Sequence, residues 1–212
     1  MPESEKSLYE AVISNPVLVV PDSVKGLGRL RNWVMDHFDD ETLVMIDDDI
    51  LTMYCLTGAR TRRISSPEEV VQIIINTAVM AHDLGVHVFG FSQTDIRKFS
   101  GYDPFSLTGW VGCVIGIIGR KYRFRDDPFK VDIDMCLQNM LVDRIIWMDT
   151  RYTFPQFRDN NVGGNSAFRT KEGFEHSVES LKKKWKGAIS VRSLQNQIRI
   201  KINVGRKQSV KI

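Results

Sequence analysis

Short apolar runs alternate along the chain with longer stretches of helical period. Val17-Leu-Val-Val20, closed by Pro21-Asp22, reads as a buried strand. Leu27, Leu30, Val34 and Phe38 then recur at helical spacing behind Asp22 or Ser23 as a cap. That helix carries Arg29, Arg31 and Asn32 on its first turns. Thr42-Leu-Val-Met-Ile46 reads as a second buried strand, and it leads straight into Asp47-Asp48-Asp49. Strand, helix and strand in this order predict a βαβ unit with parallel neighbours in one sheet.

The alternation continues downstream. Ser65-Ser66-Pro67-Glu68-Glu69 opens a helix with proline and acids in its first turn, and Gly85 stops it after Leu84. Val86–Phe91 is a strand, and Ser92–Gly109 is a loop holding Phe99, Tyr102 and Phe105. A strand over Val111–Gly119, a helix over Val131–Arg144 and a strand over Ile145–Phe154 follow. Phe174, Val178, Leu181 and Trp185 share one helical face ended by Gly187. Ile198, Ile200, Ile202 and Val204 alternate with Arg199, Lys201 and Asn203, which predicts a last strand with a basic outer face. No repeat interrupts the pattern. The expectation is one α/β domain over residues 1–212, with a mixed, mostly parallel sheet flanked by helices.

Composition narrows the class. A chain of 212 residues, 42% hydrophobic, is able to bury one sizeable core. Cys55, Cys113 and Cys136 are odd in number and lack a C-x-x-C pair, so neither a disulfide framework nor a zinc cage is indicated. Residues 1–15 are polar, and the longest apolar runs fall short of a membrane span. These features predict a soluble, cytoplasmic protein with no membrane partner. The net charge of +3 conceals an asymmetry: ten of the 29 basic residues and no acid lie between Lys182 and Ile212. The 19 basic and 26 acidic residues before them make a body of −7 joined to an end of +10. Such an end attracts polyanions, unless it serves only as a solvated basic face.

Three clusters carry candidate chemistry. Asp47, Asp48 and Asp49 crowd the end of an apolar strand, where their mutual repulsion is relieved by a cation or by shifted pKa values. Oxygen ligands at i and i+2 suit Mn²⁺ or Mg²⁺, and the bland alternative is a solvated Asp-rich turn. An EF-hand is disfavoured, since Ile50 and Leu51 follow the acids. Asp132 and Asp134 stand near a helix N-terminus, which keeps a carboxylate ionised and fit to act as general base; ordinary capping competes with that role. Two residues apart on a helix, they point about 200° from each other, so at most one faces a reacting centre. Asn161-Val-Gly163-Gly164-Asn165 is a turn whose backbone N–H groups approach phosphate, or a plain loop, and Arg169 follows it. His176 is the one histidine to test as a third metal ligand. No G-x-S-x-G, P-loop or dinucleotide fingerprint occurs.

Gly26-Leu-Gly-Arg-Leu-Arg31-Asn32 followed by Val44-Met-Ile-Asp47-Asp48-Asp49 resembles the G-x-x-x-x-R-N … hydrophobic-D-x-D run of GT-A-fold glycosyltransferases. Asp132-Ile-Asp134-Met-Cys-Leu137-Gln138, the Asp143-Arg144 … Asp149-Thr-Arg151-Tyr152 stretch and Gly163-Gly164 are similar to phage enzymes that glycosylate hydroxymethylated pyrimidines in DNA, the TET-associated glycosyltransferases. The resemblance implies a GT-A-like, Rossmann-like fold and a UDP-sugar donor. It implies that Asp47 and Asp49 hold Mn²⁺ or Mg²⁺, and that Asp47 and Asp48 meet the nucleotide-sugar. Arg31, Asn32, Gly163, Gly164 and Arg169 would complete the donor site, with Asp132 as base and Asp134 beside the acceptor. In that picture Lys182–Lys211 tracks the DNA backbone, and the loop around Tyr102 and Phe105 receives a flipped base. Two alternatives stay open: a saccharide or other non-DNA acceptor, and a non-catalytic nucleic-acid-binding module.

Overall fold

The computed structural model describes residues 2–57, 60–92, 103–127, 129–156, 170–194 and 197–204. The described residues form five α-helices: α1 (Lys6–Glu10), α2 (Leu27–His37), α3 (Pro67–Asp83), α4 (Val131–Val142) and α5 (Lys171–Trp185). The main sheet contains β1 (Thr42–Ile46), β2 (Met53–Thr57), β3 (Arg60–Ile64), β4 (Val88–Ser92), β5 (Phe105–Ser106), β6 (Val114–Ile118) and β7 (Trp147–Thr153). β8 (Ile189–Leu194) and β9 (Gln197–Ile202) make a separate antiparallel hairpin.

The sheet order is β1-β6-β4-β7-β2-β3, with β5 set against β7. Of its six strand pairings only β4–β7 is parallel. The sheet is therefore mixed and mostly antiparallel, curled into a half-barrel, and the expected Rossmann-like, GT-A-like, mostly parallel arrangement is overturned. Two physical reasons account for the difference. Val17–Val20 is not a strand: Val20 forms an isolated β-bridge to Pro2 and residues 17–19 are not in a ladder, so this segment supplies no first strand for a βαβ unit. β1 lies at the sheet edge with Ile46 55% exposed, and its neighbour β6 runs antiparallel to it. An apolar run shows that a strand is buried without showing which way its neighbour points.

Local rules hold well inside the elements. Ser66 caps α3, its hydroxyl accepting from the Glu69 amide at 3.2 Å, and Pro67 occupies the first turn. Thr170 caps α5 through the Gly173 amide at 3.0 Å. The arginine-rich stretch from Arg60 to Arg63 forms the second strand of a hairpin whose inward positions Met53, Cys55 and Ile64 are buried.

α4 is the central helix, covered on two sides. Val131, Met135, Cys136 and Met140 pack on the sheet with Val88, Ile115 and Ile117. Ile133 and Leu137 pack against Leu181 of α5 and Ile189 of β8. α2 approaches closely because Gly28 has no side chain: a Cβ there would meet the Arg125 carbonyl oxygen at 1.8 Å. Arg120 holds the far end of α2, donating to the carbonyls of Met35, Phe38 and Asp40. None of the described helices is long and apolar enough to cross a membrane.

Candidate functional site

The end of β1 meets α2, α4 and the segment after β7. The Asp47 amide donates to the Cys113 carbonyl at 2.9 Å, so the chain stays beside β6 for one residue past β1 before it turns. That fixes the direction of the Asp47 side chain. Arg31 Nη2, from α2, donates to Asp47 Oδ1 at 2.8 Å. The Arg31 side chain is 7% exposed and that of Asp47 33%. The guanidinium also lies 5.2 Å from the centre of the Phe124 ring. Its Nη1 is buried without a hydrogen-bond partner among the described residues. A buried donor in that state is costly, and a bound anion relieves it.

Asn32 does not face the acids. Its Nδ2 donates to the Phe124 carbonyl at 2.8 Å and its Oδ1 accepts the Phe124 amide at 2.9 Å. This two-way bond locks the 120s segment onto α2, and so holds Phe124 against Arg31.

Gln156 draws two of the acids together. Its Nε2 donates to Asp47 Oδ2 at 3.3 Å and to Asp49 Oδ1 at 3.0 Å. Gln156 is held there by a bridge to Ile50 and by the Leu51 amide donating to the Pro155 carbonyl at 3.0 Å. The amide nitrogen thus lies at hydrogen-bond distance from one oxygen of each carboxylate. Burial raises the Asp47 carboxyl above the usual range, the charge of Arg31 opposes that rise, and the charges of Asp49 and Asp132 add to it. Asp48 is exposed to solvent.

Asp132 and Asp134 separate as helical geometry requires. Asp132, half-buried on the first turn of α4, is close enough for its charge to act on Asp47. Asp134 is fully buried. Its Oδ1 accepts from Trp185 Nε1 at 2.7 Å, its Oδ2 from Gln138 Nε2 at 2.7 Å, and Lys184 Nζ reaches Oδ1 at 2.8 Å. The structure therefore gathers Arg31, Asp47, Asp49 and Asp132, and sets Asp134 in the interface between α4 and α5. His176 is exposed on α5. Among the described residues no group of three or more His, Cys, Asp or Glu side chains assembles as a metal cluster. Gly163, Gly164, Arg169 and Tyr102 lie outside the described residues. Phe105 is partly exposed and stacks on Trp147 at 4.5 Å between ring centres.

Gln156 and Phe124 were not legible as site residues. Gln156 is 109 positions from Asp47, and no spacing rule links a glutamine at that distance to an acid pair.

Residues 1–159, three quarters of the chain, match the family of TET-associated glycosyltransferases. The chain belongs to this family. It is a glycosyltransferase, and an enzyme of that kind draws on an activated sugar as donor. The match takes in every residue of the Arg31–Asp47–Asp49–Asp132–Gln156 cluster and ends before α5. Comparison with curated protein sequences and with solved structures gave no match.

The oxygen donors fit a hard divalent cation. Asp47 and Asp49 supply two carboxylates, and Mn²⁺ or Mg²⁺ takes its remaining ligands from water and phosphate oxygens instead of a closed protein cage. The N–H hydrogens of Gln156 Nε2 point at one oxygen of each acid, so both carboxylates face a common positive group.

Proposed function

We propose that this glycosyltransferase moves a hexose from a UDP-sugar to the hydroxyl of a 5-hydroxymethylpyrimidine in DNA, with Mn²⁺ or Mg²⁺ as cofactor. The observation that carries the proposal is the convergence of Asp47 and Asp49 on one amide nitrogen beside a buried arginine with a spare donor. A divalent ion held by Asp47 and Asp49 supplies charge compensation for a diphosphate leaving group. Arg31 fixes the orientation of Asp47 through Nη2 and leaves Nη1 for a phosphate oxygen. Gln156 positions both acids.

Asp132 is the general base. Its carboxylate accepts the proton of the acceptor hydroxyl as that oxygen bonds to the sugar carbon and the bond to UDP breaks. Support comes from its half-exposed place on the first turn of α4, close enough to the acids after β1 for its charge to act on Asp47. Asp134 holds α4 in register from behind, and its three donors leave it no role at the acceptor.

Incubation with UDP-hexoses and Mn²⁺, against duplexes with and without 5-hydroxymethylcytosine and against simple sugars, tests the assignment by mass spectrometry. A hexose added only to the modified duplex is the expected result. Transfer to simple sugars alone, or hydrolysis with every acceptor, would overturn the DNA acceptor, and inertia toward every UDP-hexose would overturn the donor.

A further inference from the structure

The family match ends at residue 159, and the described chain beyond it folds as α5 and the β8–β9 hairpin. This extension is built onto α4. Leu181, Ile189, Val191, Ile200 and Ile202 pack on Ile133 and Leu137, while Trp185 and Lys184 bind Asp134. The hairpin thus spends its inward positions on the body of the enzyme.

Its outward positions are polar and basic. The register sets Ser190 opposite Lys201 and Arg192 opposite Arg199. Arg192 and Lys201 are exposed. No acid occurs between Lys182 and Ile212 to offset the exposed charges of Arg192 and Lys201. At the adjoining end of α5, Lys182 pairs with Glu179 and Lys184 with Asp134, but no ion pair among the described residues engages Lys183, Lys186, Arg192 or Lys201. A surface that holds like charges together without internal compensation is suited to a polyanion.

We propose that the outward face of β8–β9, with Lys183 and Lys186, is a docking ribbon for the phosphate backbone of duplex nucleic acid. It supplies the acceptor-holding surface for the proposed reaction and rests on that reading only for the acceptor being DNA. A two-stranded ribbon matches the dimensions of a duplex groove, and its fixed phosphate contacts set register without reading sequence. A bilayer is the poorer fit, because the described outward side chains, Ser190, Arg192, Lys201 and Asn203, include no apolar group to insert. α5 is tied to α4 through Asp134 and the ribbon packs on the same helix, so a duplex on the ribbon lies against the element that carries Asp132.

The test uses the full chain and a short blunt duplex, followed by fluorescence anisotropy across a salt series. Wild type should bind with strong salt dependence. Arg192→Gln with Lys201→Gln should weaken binding at least about tenfold and make the slope of log affinity against log salt shallower by about two. The melting temperature should stay equal, since both replaced side chains are exposed. Arg192→Glu with Lys201→Glu should weaken binding further, and Lys6→Glu, which removes charge from α1, should not. Unchanged affinity in the folded glutamine variant would overturn the ribbon, as would wild type that ignores the duplex or sediments with phosphatidylglycerol vesicles instead. Thermal stabilisation by UDP and Mn²⁺ reports on the donor site separately: its loss in wild type counts against the acidic cluster and leaves the ribbon untouched.

Discussion

The chain carries two Asp-x-Asp pairs, Asp47/Asp49 after β1 and Asp132/Asp134 in α4, and the backbone beneath them gives the same spacing opposite consequences. Past the end of β1 the chain turns, and both carboxylates come to one side, within reach of a single Gln156 nitrogen. On α4 the same spacing sends the two side chains apart. Asp132 keeps electrostatic contact with Asp47, whereas Asp134 is buried against Trp185 and Lys184. A D-x-D string therefore brings its two carboxylates to one side here only where the local backbone turns. On a helix it splits into one candidate for chemistry and one for structure.

The comparison breaks most sharply within α4. Asp132→Asn should lower kcat by about 10²–10⁴-fold while UDP and Mn²⁺ still stabilise the protein, because only the proton acceptor is lost. Equal activity in that variant would remove Asp132 from the mechanism. Gln156→Ala should reduce Mn²⁺ affinity by about 10–100-fold, the effect expected of a residue that orients ligands without being one. Titration calorimetry with Mn²⁺ and UDP reads it directly. Asp134→Ala should leave kcat per folded molecule unchanged and cost about 1–3 kcal/mol in a urea melt, since Trp185 and Gln138 lose their acceptor. A loss of turnover without a loss of stability there would reverse the roles given to the two α4 acids.

The smallest effect concerns pH. Burial raises Asp47, so as pH falls this carboxylate takes up a proton before an ordinary aspartate does. Cation binding requires the ionised form and must expel that proton. Stabilisation by UDP and Mn²⁺ should thus fade on acidification at a pH above the usual carboxylate range. For the protein without ligand the sign is opposite: a raised folded pKa means that Asp47 favours the folded state increasingly as pH drops through it. Urea melts with and without UDP–Mn²⁺ on the acid side of neutrality separate the two trends.

Much of this was readable from residue order alone. The Thr42–Ile46 strand and the Ser66-capped helix follow from apolar period and capping chemistry, which act over a few residues. The divergence of Asp132 and Asp134 follows from helical geometry. Strand direction was not readable, because β4, buried at every position, looks the same beside a parallel β7 and an antiparallel β6. Val17–Val20 shows the companion error: it is apolar, yet it forms no strand, and Val20 makes only an isolated β-bridge. The roles of Gln156 and Phe124 depend on contacts made across most of the chain, and nothing local to either residue announces them.

The central claim is that Asp47 and Asp49 form the cation-dependent donor site. Its most direct test is the melting temperature of wild type and of the Asp47→Asn, Asp49→Asn double variant, each with UDP alone and with UDP plus Mn²⁺. The account predicts a rise for wild type only when both ligands are present, and none for the folded double variant. An equal rise in the double variant, or a wild-type rise with UDP that is indifferent to Mn²⁺, would contradict it.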